Sequence, residues 1–264
     1  MLGMDVPLRL AERRIGTILR AIGIRAYFAR DIIRGLRDPE TWIPETIRQM
    51  RNIGVDSVPL AVIVAAFLGG VTAFQTRYQL FPGVQLSVVG LIARQSIVLE
   101  LGPLLTALVL TGRVGARMTA EIGTMRVTEQ IDALETLAFD PVAFLALPRL
   151  LAGLVMLPVL TILANATAIF SAWATLVLAT DVRTDDFVSG LRLAFTAFQV
   201  VYSLIKAFSF GAAIAFVCSY EGYVTESGAE GVGRSTAKAV VIASVSILVL
   251  DALVAAIFAP FIQA

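Results

Sequence analysis

The sequence predicts an all-α polytopic membrane protein that crosses the bilayer five times. Of its 264 residues, 58% are hydrophobic and only 16% are charged, whereas soluble domains average about 45–50% apolar and about 25% charged residues. The apolar residues gather into runs of roughly 20 or more, long enough to cross about 30 Å of hydrocarbon. These runs do not alternate with polar residues as the strands of a membrane barrel do. Helices therefore span the membrane.

Composition also argues against a catalytic or metal-binding chain. Histidine is absent, which removes the commonest general base and most zinc and haem sites. The single cysteine, Cys218, lies in an apolar run and is typical of a small core residue rather than a reactive thiol. No nucleophile–base pair follows from residue spacing, and the net charge of +1 gives no reason to expect nucleic acid. We predict no catalytic residue and no metal site.

Residues 1–52 are predicted to form a basic amphipathic region ahead of the spans. Arginines are frequent between 8 and 36, and apolar residues recur there at helical spacing: Leu8, Ala11, Ile15, Ile18, Ile22, Ala29 and Ile33. Such a helix lies in the membrane interface with its arginines toward anionic headgroups. The alternative is a solvated helix packed on another domain. The membrane spans that follow favour the interfacial position.

The five predicted spans form a second region, 53–264. They cover about 57–74, 86–111, 147–179, 193–219 and 238–262. Small residues every four positions (Ala61, Ala65, Gly69) allow close helix packing in the first span. The third span is too long for one straight crossing, and Pro148 and Pro158 are expected to start it and bend it. A short polar loop precedes the fourth span, and a glycine-rich polar loop precedes the fifth.

Loop charge predicts the orientation. Ten lysines and arginines lie before residue 52, four lie in 112–149 and two in 219–238, against three on the opposite side. Because cytoplasmic loops carry the excess of these residues, the N-terminus, the 112–149 segment and the glycine-rich loop are expected in the cytoplasm. The C-terminus is then outside.

The charged segment between the second and third spans is the most informative part of the chain. Its pattern is typical of an amphipathic helix over 117–135, with Gly123 in its middle at a cost of about 1 kcal/mol relative to alanine. The polar stripe comprises Arg117, Glu121, Thr124, Thr128, Asp132 and Glu135, and the apolar stripe comprises Met118, Ile122, Met125, Val127, Ile131, Leu134 and Ala138. This helix either rests on the bilayer or docks a cytoplasmic partner.

Four charged residues interrupt the apolar runs: Arg94, Glu100, Lys206 and Asp251. A charge at mid-bilayer costs about 2.5–3.5 kcal/mol or more, so such side chains face a cavity or each other. Snorkelling to the headgroups suits Arg94, which is near one end of its run. The other three lie near the middle of theirs, and we expect a functional role or an internal ion pair, with Lys206 pairing with Asp251 or Glu100.

The residues from 100 onward resemble a known family. The stretch ELGPLLTALVLTGRVGARMTAEIGTMRVTEQIDALETLAFDP, the PR at 148–149, LIKAFSFGAAIAFVCSYEGY, SxGAEGVGRSTAKAVV and the LD pair at 250–251 closely resemble the MlaE/YrbE family. The similarity covers roughly 45–262. These proteins are permease subunits of MCE-associated ABC transporters, which move phospholipids and related lipids across the Gram-negative envelope or, as the TGD permeases, into plastids.

The resemblance implies a homodimer and several partners. Each subunit would place the helix around Glu121–Glu135 in a groove on an MlaF-like ATPase, which would bind ATP and Mg; this chain has no G-x-x-x-x-G-K-[ST] loop of its own. An MlaD-like MCE-domain protein, typically a hexameric ring, would collect or deliver the lipid outside, and a small STAS-domain subunit can accompany the ATPase. The bacterial inner membrane is the expected location, ahead of the plastid inner envelope. The implied ATPase-coupling residues are Arg117, Glu121, Gly123, Arg126, Glu129, Asp132 and Glu135.

In the family, the first, second and fifth spans line a central lipid pocket. Members often carry Arg-Glu before Leu-Gly-Pro; here the pair is Leu99–Glu100, so the glutamate carries over and the arginine does not. Arg94, about 140° away around the helix axis, does not replace that arginine. The polar candidates for the pocket are Glu100, Arg94, Lys206 and Asp251, and the wall candidates are Phe74, Tyr78, Leu99, Leu105 and Leu253.

Two other functions compete with a lipid-transporting ABC permease. An ion-coupled secondary transporter would use Glu100, Lys206 and Asp251 as coupling residues, although the sequence shows no inverted repeat. A membrane scaffold that recruits a cytoplasmic protein would use the 112–149 segment alone. An ATPase partner favours the permease, because neither alternative requires one.

Overall fold

The computed structural model describes residues 20, 22–37, 39–81, 83–226 and 228–262. Predicted features at Leu8, Ala11, Ile15 and Ile18 lie outside these ranges. The described part is helical without strands, and five of its helices are long and apolar enough to cross a membrane. The predicted all-α fold with five spans is confirmed. The spans are Trp42–Gln79, Ser87–Val127, Pro141–Ala179, Ala197–Tyr223 and Ala229–Phe261.

These spans are assembled from shorter elements. The helices are α1 (22–35), α2 (Pro39–Ile53), α3 (Val58–Gln79), α4 (Ser87–Ser96), α5 (Gly102–Leu110), α6 (Ala116–Val127), α7 (Gln130–Thr136), α8 (Pro141–Ala179), α9 (Thr184–Arg192), α10 (Ala197–Tyr223) and α11 (Ala229–Ile262). A 3-10 turn, Val55–Ser57, joins α2 to α3, and two π-helical turns, Ile97–Leu101 and Thr111–Gly115, flank α5. We call the end that carries α2, α6, α7 and the start of α8 the α7 end, and the opposite end the α9 end.

The predicted single amphipathic helix over 117–135 is wrong. Its first half, α6, continues the second span without interruption from Ser87 to Val127. The helix then breaks at Glu129, whose φ of 58° is left-handed, and the short α7 follows. The polar stripe continues across this break, which is why the pattern alone does not reveal it.

Other predicted boundaries also move: the first span covers Trp42–Gln79 rather than 57–74, and the fourth covers Ala197–Tyr223 rather than 193–219. The third span begins at Pro141 rather than Pro148, because Asp140 caps the helix by accepting hydrogen bonds from the backbone N–H groups of Val142 (3.0 Å) and Ala143 (3.2 Å), and proline fits the first helical position. The fifth span begins at Ala229, so the predicted glycine-rich loop shrinks to a short turn. The polar loop before the fourth span contains α9.

The small residues of the first span allow a close helix contact, as predicted, and the structure shows that the partner is α8. Ala61, Ala65, Gly69 and Ala73 are buried along one face of α3. At Gly69 the helices approach so closely that a Cβ atom would lie 1.9 Å from the carbonyl oxygen of Ala168. The Ser171 hydroxyl donates a hydrogen bond to the Ala66 carbonyl across the same contact (2.6 Å). This packing joins the first and third spans.

The described part of the N-terminal helix packs on the spans through Phe28 and Ile32, which are not part of the apolar stripe that was expected to face the bilayer. Phe28 and Ile32 are buried in a cluster with residues of α8 and α10. Phe28 also lies in an aromatic group, with ring centroids 5.4–5.8 Å from Phe216, Tyr220 and Tyr223. The predicted face residues Ile22 and Ile33 are exposed. The helix therefore has a packed face, and its apolar residues Ile22 and Ile33 point outward.

Candidate functional site

Three of the charges within the spans meet at one point. The Nζ atom of Lys206 on α10 lies 2.6 Å from Oε2 of Glu100 and 2.8 Å from Oδ1 of Asp251 on α11. Lys206 donates a hydrogen bond to Glu100, whereas its contact with Asp251 is an ion pair without hydrogen-bond angles. The predicted pairing of Lys206 is therefore present, and it involves both acidic residues.

Local sequence explains how Glu100 reaches this point. Pro103 has no N–H and its ring clashes with the carbonyl four residues earlier, that of Leu99, so the α-helical ladder cannot continue there. The chain forms the wider π-helical turn Ile97–Leu101 instead. Such turns are frequent at functional sites, and this one carries Glu100. On α10, one turn before Lys206, the ring centroid of Tyr202 lies 5.0 Å from Nζ.

The charge cluster is buried on one side and open on the other. The side chain of Lys206 is fully buried, that of Asp251 is 13% exposed and that of Glu100 is 45% exposed. With both carboxylates ionised, one ammonium leaves a net negative charge within the span. A carboxylate facing acyl chains would be costly, so the open side of Glu100 faces water, a polar ligand or another subunit. This arrangement can hold the polar head of an amphiphile.

Arg94 does not join this cluster through any polar contact. It is buried beside α9 and donates hydrogen bonds to the carbonyl oxygens of Leu191 (3.0 Å), Leu193 (3.2 Å) and Ala194 (3.3 Å). Its guanidinium carbon lies 5.3 Å from the ring centroid of Phe195. Arg94 therefore closes the C-terminal end of α9, where carbonyl groups lack helical partners, and it neither snorkels nor contacts Glu100.

The predicted wall residues occupy several surfaces. Phe74 and Tyr78 stack edge to face with ring centroids 4.9 Å apart. Phe74 lines a groove of about 550 Å³ between α3 and α8, whose lining includes none of the charged cluster. Leu253 is exposed on α11, and Leu99 and Leu105 are half-buried. Within one protomer, the aromatic groove and the charged cluster are separate features.

An ion pair lies next to this groove, toward the α9 end. Arg77 donates two hydrogen bonds to the Asp181 carboxylate, both 2.8 Å long. These bonds hold the pKa of the Asp181 carboxyl below its usual value. The pair fastens the end of α3 to the turn after α8.

Three of the predicted coupling residues are used inside the protein. Glu121 accepts a hydrogen bond from Arg117 (2.7 Å) and another from the buried Arg149 of α8 (3.3 Å). Gly123 is buried, and a Cβ atom there would lie 2.9 Å from Oγ1 of Thr225, so this glycine lets α6 pack against the residues that follow α10. These contacts hold α6, α8 and the end of α10 together.

The other coupling residues surround α7. Arg126 donates a hydrogen bond to Asp132 (2.7 Å), which ties α6 to α7. Glu129 and Glu135 are exposed, and α7 is anchored mainly by the buried Ile131. The structure therefore separates the predicted set into internal contacts on α6 and an exposed surface on α7.

Sequence reasoning missed a second buried acid. Glu221 on α10 is 1% exposed, and its carboxylate lies 3.4 Å from Arg25 of α1 and 2.9 Å from Lys238 of α11. It also missed Arg149, which appeared only as part of the PR pair. Neither set of contacts follows a helical spacing in the sequence. Arg25 and Glu221, for example, are 196 residues apart. Among the described residues, no group of three or more acidic or cysteine side chains could hold a metal ion.

Comparison with known proteins then identifies the family. The sequence profile described as Permease MlaE matches residues 46–257. This chain belongs to the MlaE permease family. A probable ABC transporter permease protein of Rickettsia prowazekii is 34% identical over 90% of this chain and 92% of its own length. The matched region includes Glu100, Lys206 and Asp251, so the cluster lies in the part of the chain that defines the MlaE permeases.

Two further relatives carry more specific names. The intermembrane phospholipid transport system permease protein MlaE of Haemophilus influenzae is 30% identical over 93% of this chain and 94% of its own length. The chloroplastic protein TRIGALACTOSYLDIACYLGLYCEROL 1 of Arabidopsis thaliana is 29% identical over 91% of this chain and 69% of its own length. The resemblance found in the sequence is confirmed, including its plastid branch.

Proposed function

We propose that this MlaE-family chain is the permease subunit of an ABC transporter that moves phospholipid, or a similar lipid, between the inner membrane and a periplasmic MCE-domain partner. The observation that carries the proposal is the half-open Glu100 carboxylate beside the fully buried Lys206. An amphiphilic lipid needs a polar contact for its head and an apolar surface for its chains. The charged cluster offers the polar contact, and the apolar faces of the surrounding spans offer the apolar surface.

The distribution of charge supports an α7 end in the cytoplasm. Most arginines of the described chain lie at that end, whereas the α9 end carries Arg77, Arg183 and Arg192. An excess of arginine marks the cytoplasmic side. The N-terminus and α7 then lie in the cytoplasm of a bacterium, and the α9 end faces the MCE-domain protein.

Burial supports a homodimer. The first and fifth spans bury only 28% and 22% of their most apolar windows, against 44–50% in the other three. Glu100 and Asp251 lie near these less buried helices. A second copy that covers this side would shield the open carboxylate of Glu100 and form a shared central pocket. The aromatic groove at Phe74 would then face lipid or the MCE-domain partner.

The exposed surface of α7 supports docking of a separate ATPase subunit, which would bind ATP and Mg. Glu129, Asp132 and Glu135 are exposed at α7, and the exposed apolar side chains Leu137 and Phe139 follow directly after it. Exposed apolar side chains close to charged ones are typical of a protein interface. A small STAS-domain subunit would bind through that ATPase. This permease then needs no catalytic site of its own.

The proposed function is tested by purifying the protein in detergent together with its ATPase. We expect co-purified phospholipid, detected by mass spectrometry, and ATP hydrolysis that phospholipid stimulates. Lys206→Met should abolish most of this stimulation, because it leaves two carboxylates unneutralised in the span. If lipid movement in proteoliposomes depended on an ion gradient and not on ATP, the result would support a secondary transporter and overturn the proposal.

The role of α7 is tested most cleanly at Glu129. Glu129→Lys should weaken ATPase binding at least tenfold, measured by biolayer interferometry, and leave the thermal transition unchanged because this side chain is exposed. Asp185→Lys, the same charge reversal at an exposed position of α9, is the matched control. Glu121 is unsuitable, since its reversal would also break the contacts with Arg117 and Arg149. Equal binding by the Glu129 and Asp185 variants would remove α7 from the interface.

A further inference from the structure

An amide side chain in the third span lies between the second and fourth spans. The Nδ2 group of Asn165 on α8 donates a hydrogen bond to Oγ of Ser203 on α10 (3.2 Å). The Oδ1 atom of the same amide is buried and finds no hydrogen-bond donor among the described residues. Buried acceptors without a donor are uncommon in folded proteins. Asn165 is therefore held in this place by more than its own hydrogen bonding.

The Oδ1 atom lies directly against Gly102, which follows the π-helical turn of the second span. A Cβ atom at Gly102 would lie 1.8 Å from Oδ1 and 3.0 Å from Cγ of Asn165. The N–H group of Gly102 does not satisfy this oxygen, because it donates to the carbonyl of Ile97 across the turn. The amide fills the space that a side chain at this position would need, and only glycine permits so close an approach.

This contact holds the turn that carries Glu100. Glu100 lies within the π-helical turn, two residues before Gly102. Pro103 explains why the regular helix is interrupted, but it does not set the distance between the turn and the neighbouring helices. The contact of Gly102 with Asn165 sets the distance from α8. A shift of Gly102 relative to α8 would therefore move the backbone of Glu100 as well.

The other end of the amide reaches the helix that carries Lys206. Ser203 is 1% exposed and precedes Lys206 by three residues, which is close to one helical turn. Asn165 therefore joins the backbone beside Glu100 to the helical turn beside Lys206. The separation of 2.6 Å between Oε2 of Glu100 and Nζ of Lys206 depends on how closely these two spans approach each other, and Asn165 contacts both spans.

We propose that Asn165 is a positioning residue for the proposed lipid site. It sets the spacing between the second and fourth spans, and thereby the position of the open Glu100 carboxylate that receives the polar head of the lipid. The inference rests on the proposed function and adds to it a residue of the third span. Asn165 acts through Glu100 and makes no contact with the lipid itself.

Two substitutions that each remove a buried contact provide a matched test. Asn165→Ala removes the amide. Thr119→Ala removes the hydrogen bond that the hydroxyl of Thr119 on α6 donates to the carbonyl of Cys218 on α10 (3.0 Å), which also joins the second and fourth spans but at the α7 end. The probe is phosphatidylethanolamine with a fluorescent NBD group, titrated against the full-length protein in detergent. Asn165→Ala should raise the Kd at least fivefold, and Thr119→Ala should change it less than twofold. Equal Kd values for the two variants would overturn the positioning role.

A double substitution separates positioning from a general loss of folded protein. In a Glu100→Gln background, Asn165→Ala should change the Kd less than twofold, because residues that act through one contact do not have additive effects. A further fivefold rise in this background would show that Asn165 acts independently of Glu100 and would contradict the proposal.

Gly102→Ala disturbs the same contact from the second span. Its Cβ atom would displace the amide, so the Kd should rise as it does for Asn165→Ala. An unchanged Kd for Gly102→Ala would mean that the contact does not position Glu100. Failure of the unsubstituted protein to bind the labelled lipid would defeat the proposed function itself, which separates the two outcomes.

Discussion

Lys206 is held in a place that a lone ammonium could not occupy. Its side chain is fully buried in a span, and Glu100 and Asp251 neutralise it from two other helices. Buried ion pairs are costly to break, because removing one partner leaves an uncompensated charge. The two acids differ in burial, and we propose that their roles differ accordingly: Asp251 secures the lysine, and Glu100 presents its open side to the proposed lipid pocket.

At this scale we predict that the two acids have unequal effects on stability. Asp251→Asn should lower the melting temperature by roughly 3–10 °C, since hydrogen bonds and ion contacts to a buried charge contribute about 1.5–3 kcal/mol. Glu100→Gln should lower it much less, because the half-exposed amide is solvated and Asp251 still neutralises Lys206. Thermal unfolding of both variants in one detergent provides the comparison. Equal shifts would contradict the division of roles.

The two substitutions, Glu100→Gln and Asp251→Asn, should affect lipid-stimulated ATP hydrolysis in the opposite order to their effects on stability. Glu100→Gln is expected to reduce stimulation strongly while the protein remains monodisperse. Asp251→Asn should lose activity only in proportion to the folded protein that remains. A Glu100 variant with full stimulation would place the lipid head elsewhere.

The second span shows how an element can connect two distant sites. It runs without interruption from Ser87 to Val127. Glu121 at the α7 end and Glu100 within the bilayer therefore belong to one continuous helix. Their separation of 21 residues corresponds to about 32 Å of helix. The π-helical turns at Ile97–Leu101 and Thr111–Gly115 lie along this path, and such turns are places where helices adjust. We therefore propose that motion at α6 is passed to Glu100 through the span itself.

The contact between α3 and α8 yields a prediction from two adjacent glycines. Gly69→Ala should destabilise the protein, because its Cβ would lie 1.9 Å from the backbone oxygen of Ala168. Gly70→Ala should be neutral or slightly stabilising: its nearest contact is the Thr175 hydroxyl at 3.0 Å, and alanine favours a helix by about 1 kcal/mol. Melting temperature and elution profile measure both. If Gly69→Ala left the melting temperature unchanged, α3 and α8 would have to pack less closely than the structure shows.

The five spans differ in how much of their apolar surface is buried within the molecule. The inner three spans bury about half of their apolar windows, and the first and fifth bury about a quarter. On α11 an exposed apolar face includes Val249, Leu253 and Ile257. The open carboxylate of Glu100, which is linked through Lys206 to Asp251 of the same helix α11, would be unfavourable against lipid, so the assembled molecule should cover this side.

We therefore predict that α11 lies near the axis of a dimer. Single cysteines at Val249, Leu253 or Ile257 should form disulfide-linked dimers in membranes under oxidation, detected by non-reducing electrophoresis. The buried Cys218 should give no background in the unsubstituted protein. Phe170→Cys, on the exposed face of α8, is the control and should remain monomeric. Dimers through Phe170 alone would move the interface to α8.

Hydropathy and the cost of a buried charge were enough to predict much of this protein. The five spans follow from the length of the apolar runs, and close packing of the first span follows from small residues every four positions, although its partner α8 does not. The pairing of Lys206 follows because an isolated charge within a span is unstable. The family follows from a motif that extends over most of the chain. These are local properties, which sequence displays directly.

Contacts between distant residues were decided only in the tertiary structure. The pattern over 117–135 does not show the break at Glu129, and the polar composition of 229–238 conceals helix stabilised by packing against α6. Arg94 binds carbonyls about 100 residues away, and Glu221 joins α1 to α11. Asn165 contacts both Gly102 and Ser203 only because the second, third and fourth spans converge there. Periodicity reports which face of a helix is apolar, whereas the partner of that face depends on how all the helices pack.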